Sequence, residues 1–313
     1  MPSHPHNQRI FYACQAVAIA PRGLATLAAT NLVHGLQSVG MSSTFTLDQV
    51  FEMGQIAIYE NIEEVADIEV TLEKVIDGYK LIYDLATEGA CKTGVVPSSK
   101  VRTDVYLAVF DDGTSNATGV PRTVCMNSGM YVSSVSYSYS IDGSATESVT
   151  MVGNDRFWNV THGAIAAAPT AIWGTVSNSV FDTDTPLSGV VRRVDVDILN
   201  STLPVEVLFQ TGDDAVNLSA GAHIQSISVS TDFGQENIQE LGRFGPYHRY
   251  ATFPIEVTAE FEVIATSGDL ISVSGSHPNL QNRSITIKDT AGTILYLGTK
   301  NKLSSVSYSG ADT

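Results

Sequence analysis

Strict alternation of apolar and polar residues marks the most regular segments of the chain. Val135, Tyr137 and Tyr139 alternate with serines, and in residues 68–73 and 255–263 apolar residues alternate with glutamate or threonine. A period of two residues is typical of a β-strand with one buried face, because successive side chains point to opposite sides of a sheet. The pattern predicts a mainly β fold whose strands carry a hydroxyl-rich or acidic outer face.

Other segments depart from this alternation. Residues 79–87 predict one short helix, which would need tertiary packing to be stable. Residues 46–60 and 235–250 lack sustained alternation, and we interpret them as long loops between strands that reach a neighbouring molecule. The apolar residues 11–20 are expected to form a first strand rather than a signal peptide.

Three short sequences occur twice in the same order along the chain: LQSV at 36–39 is echoed by IQSI at 224–227, IEVT occurs at 68–71 and 255–258, and SSVSYS occurs at 133–138 and 304–309. Between the first two, each copy has a glycine followed five residues later by a tyrosine, Gly54 with Tyr59 and Gly245 with Tyr250. Ordered repeats of this kind predict an internal duplication. We expect a first β-domain at residues 8–158, a linker or insertion at 159–189 and a second β-domain at 190–313.

Composition and charge narrow the possible functions. The chain has 313 residues, of which 43% are hydrophobic, and a net charge of −16, so it can bury two cores and repels phosphate. Its three cysteines and seven histidines show no metal-ligand spacing, and no nucleophile or phosphate-binding motif occurs. We therefore expect no enzyme activity, catalytic residue, metal or cofactor. No run reaches the ~18–20 apolar residues of a spanning helix, so no membrane insertion is expected.

The acidic strands pose a physical problem, because like charges on one face repel and an open sheet edge invites uncontrolled pairing. Closing the sheets of several domains into one barrel removes the edges, and facing the carboxylates onto water screens them. The residue pattern alone fits a plain β-sandwich with a solvated acidic face equally well. An acidic wall would, in addition, let DNA slide past without binding.

Two stretches of the sequence resemble tail tube proteins of contractile-tailed bacteriophages. Residues 224–263 contain a Gly-x-x-Gly-Pro-Tyr-x-x-Tyr core at 242–250 leading into Phe-Pro-Ile-Glu-Val-Thr, and residues 131–158 contain an Ile-Asp-Gly turn followed by Thr-Glu-Ser-Val-Thr. The resemblance implies two tandem β-sandwich or split-barrel domains, each with one helix. It also implies that the subunits pair strands around a closed β-barrel ring, and that stacked rings form a hollow tube through which the genome leaves.

The resemblance further implies partners and a location. The chain is expected to be a structural part of the virion tail, assembled in the host bacterial cytoplasm and bound to copies of itself. Rings of three duplicated chains are favoured, with six chains as the alternative, and tail sheath and baseplate or terminator proteins are further partners. The genome is expected to pass without specific binding. The alternative function is a virion surface decoration or adhesin-like β-module whose loops carry the contacts.

Two groups of residues are candidates for these roles. The carboxylates of the repeated strand are expected to line or rim the channel, although they could instead face outward or pair with Arg and Lys of a neighbouring subunit: Glu69, Glu73, Glu256, Glu260 and Glu262. The two long loops supply the candidates for contacts between subunits or rings: Gln49, Phe51, Gly54, Tyr59, Gly242, Arg243, Gly245, Pro246, Tyr247 and Tyr250.

Overall fold

The structure is a computed structural model, and it describes residues 15–23, 27–87, 101–110, 121, 123–159, 187–196, 222–243, 245–265, 285–298, 300–302, 304–305 and 307. Within these residues the chain forms fifteen β-strands, one α-helix and a single 3₁₀ turn at Ala29–Asn31. The prediction of a mainly β fold with one short helix is confirmed.

The elements of the first half, residues 8–158, and of the strand that leaves it are β1 Gln15–Pro21, β2 Leu36–Thr44, β3 Leu47–Val50, β4 Glu60–Glu63, β5 Asp67–Val75, α1 Ile82–Ala86, β6 Thr103–Val109, β7 Thr123–Ser140, β8 Thr146–Gly153 and β9 Asp155–Asn159. The strands of the second half, residues 190–313, are β10 Ala222–Asp232, β11 Gln235–Ile238, β12 His248–Ala251, β13 Val257–Ala265, β14 Thr286–Lys288 and β15 Ile294–Tyr296.

One antiparallel sheet of nine strands organises both halves. Its order is β1-β6-β7-β8-β5-β2, with β9 beside the first part of β7, β10 beside the last part of β7, and β13 beside β10. The sheet curls into a half-barrel. Strand β7 is 18 residues long and therefore pairs with β6 and β9 near its start and with β8 and β10 near its end. The described strands of residues 190–313 thus extend the sheet of the first half.

The core lies on one face of this sheet and follows directly from the alternation in the sequence. In β5, Ile68, Val70 and Leu72 are buried while the residues between them are exposed or half-buried. The buried cluster also takes in Ile227 and Val229 of β10, so the two halves share one core. Burial of alternate apolar side chains on a continuous sheet stabilises the halves together.

The short helix α1 is held against the sheet by a buried carboxylate from β8. Glu147 accepts hydrogen bonds from the backbone N–H groups of Ile82 and Tyr83 at 2.6 and 3.0 Å, and from the Tyr137 hydroxyl at 3.2 Å. First-turn N–H groups have no partner within a helix, so Glu147 supplies the missing acceptors. Burial raises the pKa of Glu147 above its ordinary value, although these hydrogen bonds and nearby Lys74 act in the opposite direction.

The interpretation of residues 46–60 and 235–250 as irregular loops is wrong. Each segment forms most of a two-stranded hairpin, β3 with β4 and β11 with β12. Both hairpins expose side chains on both faces, so they lack the alternation by which a half-buried strand is identified. The expected first strand is present from Gln15, whereas residues 11–14 and most of 159–189 lie outside the described residues.

Candidate functional site: an acidic sheet face and two hairpin arms

The face of the sheet opposite the core carries hydroxyl and carboxylate side chains across six adjacent strands. We call it the polar face and define it by alternate residues of β2, β5, β8, β7, β10 and β13: Ser38, Gly40, Ser42, Thr44, Asp67, Glu69, Thr71, Glu73, Thr146, Ser148, Thr150, Val152, Ser134, Ser136, Ser138, Ser140, Ser226, Ser228, Ser230, Asp232, Thr258, Glu260, Glu262 and Ile264. None of these residues is Lys or Arg.

The polar face contains the carboxylates that the sequence singled out. Glu69 and Glu73 lie exposed on β5, Glu260 and Glu262 lie exposed on β13, and Glu256 is exposed just before β13 begins. The two strands stand four places apart in the sheet, separated by strands rich in Ser and Thr. The structure therefore brings all five onto one surface.

Serine hydroxyls face these carboxylates across the strands. Ser38 donates to Glu73 at 3.2 Å, and Ser226 donates to Glu262 at 3.0 Å. The two contacts occupy the same position in two hairpins, because both β2 and β10 shift register at the residue before this serine. A hydroxyl opposite a carboxylate avoids the repulsion that two facing carboxylates would produce.

A single basic side chain reaches an acid of the polar face among the described residues. Arg249 of β12 forms an ion pair with Asp67 at 3.1 Å and also donates to Asn154 at 3.0 Å. Arg249 is buried, and this contact holds the hairpin of β11 and β12 against the end of β5. The face also forms a shallow concavity of about 480 Å³, lined by Ser134, Ser136 and other residues where β7, β10 and β13 adjoin.

Two hairpins project from the sheet, and we call them the first arm (residues 47–63) and the second arm (residues 235–251). Their strands correspond at a constant shift, since 235 − 47 = 188 and 248 − 60 = 188. The turn hydrogen bonds correspond as well: Tyr59 N–H donates to Val50 at 2.9 Å, and Tyr247 N–H donates to Ile238 at 2.8 Å. The arms are the same structure built twice.

This shift changes one equivalence drawn from the sequence. Gly54 corresponds to Gly242 and not to Gly245, and both lie at positive φ, +95° and +85°, where glycine is favoured. Tyr59 accordingly corresponds to Tyr247 rather than Tyr250. The sequence offered two Gly-to-Tyr spacings of five residues in the second half, and only the turn geometry distinguishes them.

The arms carry the residues predicted for contacts between subunits. Gln49, Phe51, Gly54 and Tyr59 all lie on the first arm and are exposed. Those of the second half lie on the second arm, where Arg243 stacks over the Tyr247 ring at 5.9 Å: Gly242, Arg243, Gly245, Pro246, Tyr247 and Tyr250. At the tips, Met53 and Leu241 correspond to each other and are fully exposed.

The two arms differ in their surroundings. The second arm packs on the first half: the Tyr131 hydroxyl lies 3.1 Å from Nδ1 of His248, and Gln235 donates to the Val132 carbonyl at 2.7 Å. In the first arm every residue of β3 and β4 is exposed. Equivalent structures therefore occupy a docked and an undocked position in one chain.

Sequence reasoning missed a pair of phenylalanines at the base of the arms. Phe45 and Phe233 correspond at the same shift of 188, yet Phe45 is 70% exposed and Phe233 is 1% exposed. Phe233 stacks on Tyr83 with ring centroids 6.0 Å apart. A signal for this pair exists in the sequence, because each phenylalanine follows the glutamine of LQSV or IQSI by eight residues.

Among the described residues, no group of His, Cys, Asp and Glu side chains is arranged to hold a metal ion. No helix in the described part of the chain is long and apolar enough to cross a membrane.

Comparison with known proteins gives similarity to tube components. No protein-family model matches the chain, and no curated protein matches it in sequence. Among solved structures, it is similar to a chain of the PVC sheath–tube complex of an extracellular contractile injection system (TM-score 0.36, 11% identity), covering 49% of this chain and 93% of that one. It is also similar to a chain of the PVC sheath/tube terminator (TM-score 0.37, 12% identity, 49% and 99% covered). The tube-terminating cap of the anti-feeding prophage gives a TM-score of 0.34 at 12% identity, with 51% and 100% covered.

Proposed function

We propose that this protein is a structural, non-enzymatic subunit of a phage tail tube, in which sheets of several chains close into a ring with the polar face toward the lumen. The observation that carries the proposal is the continuous six-strand sheet, whose core lies on one face while Ser, Thr, Asp and Glu occupy the other. A curled sheet of this kind with open edges is stabilised by closure, which pairs the edges with one another.

The same proposal includes a tandem duplication. Support comes from the constant shift of 188 between the arms, from the matching register shifts in β2 and β10, and from the matching serine–glutamate contacts. A third correspondence lies further along: β15 begins 171 residues after β7 (294 − 123 = 171), and the SSVSYS repeats are separated by the same 171 residues (304 − 133 = 171). Two halves of one chain would then supply two neighbouring tube domains.

Ring size follows from the duplication. Three chains supply six pseudo-equivalent domains, and we favour this number over six chains. If each domain contributed four strands, as β7, β8, β5 and β2 do in the first half, six domains would give a perimeter of 24 strands. At ~4.8 Å between strands the perimeter is about 115 Å, a diameter of about 37 Å before strand tilt widens it, which accommodates a DNA duplex.

The acidic polar face suits a conduit for the genome. DNA carries one negative charge per ~1.7 Å of duplex axis, so a wall with Lys or Arg would bind it and slow its passage. Carboxylates among hydroxyl groups give a hydrated surface that repels phosphate. We place the protein in the virion tail, assembled in the host cytoplasm, with the sheath and the baseplate or terminator proteins as its further partners.

Electron microscopy and native mass spectrometry of the purified protein test the ring. A ring of three chains has a mass of about 100 kDa (3 × 33.4) and a ring of six about 200 kDa (6 × 33.4). Hollow rings or tubes of either mass support the proposal. A monodisperse monomer at high concentration, with no rings in the images, would refute it.

Charge reversal on the polar face tests the conduit. Glu69→Lys with Glu256→Lys should leave rings intact, because both side chains are exposed and lie outside the core, but should slow or block genome delivery. The matched control is Asp142→Lys with Asp155→Lys, which makes the same charge change at exposed positions away from the polar face. Particles carrying Glu69→Lys and Glu256→Lys that remain as infectious as the control would show that these acids do not line the path.

A further inference from the structure

Strands β2 and β10 hold the same position in two equivalent hairpins but differ at their second edge. β10 pairs with β13 on one side and with β7 on the other. Among the described strands, β2 pairs with β5 alone. The other edge of β2 therefore presents backbone N–H and C=O groups to solvent, and such an edge is a template for another strand.

The missing neighbour leaves β2 more exposed than β10 at equivalent positions. Ile227 and Val229 of β10 are buried, whereas Val39 and Met41 of β2 are only partly buried. The difference is largest at the end of the strand, where Phe233 is 1% exposed and Phe45 is 70% exposed. A large aromatic side chain exposed in one copy and buried in the other marks a surface that is complete only when a strand covers it.

The strand that covers β10 identifies the occupant. It is the end of β7, which contains the sequence SSVSYS at residues 133–138, and the same six residues recur at 304–309. We propose that the free edge of β2 receives residues 304–309 of a second copy of this chain, in the register in which residues 133–138 pair with β10. The inference rests on the proposed tube assembly and names its subunit contact.

The internal junction fixes the register. Ser136 lies opposite Ser230, and Phe233 N–H donates to the Ser133 carbonyl at 2.7 Å. Subtracting 188 from 230 gives Ser42, and adding 171 to 136 gives Ser307 of the neighbouring copy. By the same shifts, Phe45 N–H donates to the Ser304 carbonyl of that copy, and the Phe45 side chain becomes buried.

This contact is heterologous, since each chain offers the edge of β2 at one end and residues 304–309 at the other. Repeated head to tail, it closes into a ring if the rotation per chain allows. Within such a ring, junctions inside a chain and junctions between chains alternate and share one geometry.

Paired cysteines test the register. Because Phe233 and Ser133 form a hydrogen-bonded pair and the two pair types alternate along an antiparallel ladder, Ser136 and Ser230 form a non-hydrogen-bonded pair, with Cα atoms about 4.5 Å apart and within disulfide range. We expect Ser42→Cys with Ser307→Cys, in a Cys14→Ser and Cys91→Ser background, to give a ladder of disulfide-linked chains on mild oxidation.

Two matched variants serve as controls. Ser136→Cys with Ser230→Cys should form a disulfide within a single chain whether or not the protein assembles, which verifies the chemistry. Ser42→Cys with Ser305→Cys keeps both cysteines on the same face but shifts them by two residues, to a diagonal separation of about 7–8 Å, and should give about tenfold less cross-linking.

The outcomes separate this inference from the proposed function. Rings that form normally without the Ser42–Ser307 cross-link, or with equal cross-linking in the shifted pair, would overturn the register and leave the tube intact. A chain that stays monomeric and uncross-linked would overturn both. As a second measurement, Phe45→Ala should leave the monomer folded yet raise the concentration needed for assembly by about tenfold or more, since it removes an aromatic side chain buried only on association. An unchanged assembly concentration would count against the inference.

Discussion

Deleting the same side chain at Phe233 and at Phe45 should have opposite consequences for the stability of the unassembled chain. Phe233 is 1% exposed, stacks on Tyr83 and lies beside Ala86 and Val132, whereas Phe45 is 70% exposed. Truncating a buried phenylalanine to alanine costs about 3–5 kcal/mol, because transfer energy is lost and a cavity remains. An exposed position away from the core changes stability by about 0.5 kcal/mol or less. Phe233→Ala is therefore expected to be strongly destabilising and Phe45→Ala nearly neutral.

Urea unfolding of the unassembled protein, followed by far-ultraviolet circular dichroism, measures this difference. With a denaturant dependence of about 3 kcal/mol per molar, Phe233→Ala should lower the unfolding midpoint by about 1 M or more, and Phe45→Ala by about 0.2 M or less. Equal shifts for the two variants would show that Phe45 already has a buried environment within one chain. A shift below about 0.3 M for Phe233→Ala would show that the second half does not share the core of the first.

Two further predictions concern buried titratable groups. Burial raises the pKa of Glu147 above its ordinary value of 4.5, so its protonated form favours folding, and this contribution is lost as pH rises through the raised pKa. The stability advantage of the wild type over Glu147→Gln, measured by urea unfolding from pH 4 upward, should therefore shrink with rising pH, and an advantage that grows with pH would contradict the assignment. Burial also raises the pKa of Cys125 to about 11, so little thiolate exists at pH 8 and iodoacetamide should label the Cys125 peptide only after unfolding; rapid labelling of the native protein, detected by peptide mass spectrometry, would show that Cys125 is accessible.

The acidic outer face could be predicted from the sequence because its physical cause is local. In residues 68–73 every second residue is apolar, and a strand with one buried face must then direct Glu69 and Glu73 to solvent. The same argument places Glu260 and Glu262. Alternation is visible in one strand without knowledge of its neighbours, so it needs no information about topology.

The arms and the junction between the halves could not be predicted in this way. Both faces of the first arm are exposed, so its strands leave no periodic signature, and they are held by backbone pairing that any sequence of suitable turn geometry can form. The pairing of β10 with β7 joins residues about 90 apart, such as Ser136 and Ser230, and nothing in either strand specifies the other as its partner. The choice between Gly242 and Gly245 likewise required the positive φ of the turn.

The arrangement of hydroxyl and carboxylate groups explains how an acidic sheet face can be stable. Glu73 lies between Ser38 and Ser148 on the adjacent strands, and Glu260 lies opposite Ser228, so these carboxylates do not face one another across a ladder. Along β5, Glu69 and Glu73 are four residues and therefore about 13 Å apart, beyond the Debye length of ~8 Å at physiological salt. The repulsion within the face is thus small. A DNA duplex, with its far denser charge, would still meet an anionic, hydrated surface that offers no cation to its phosphates.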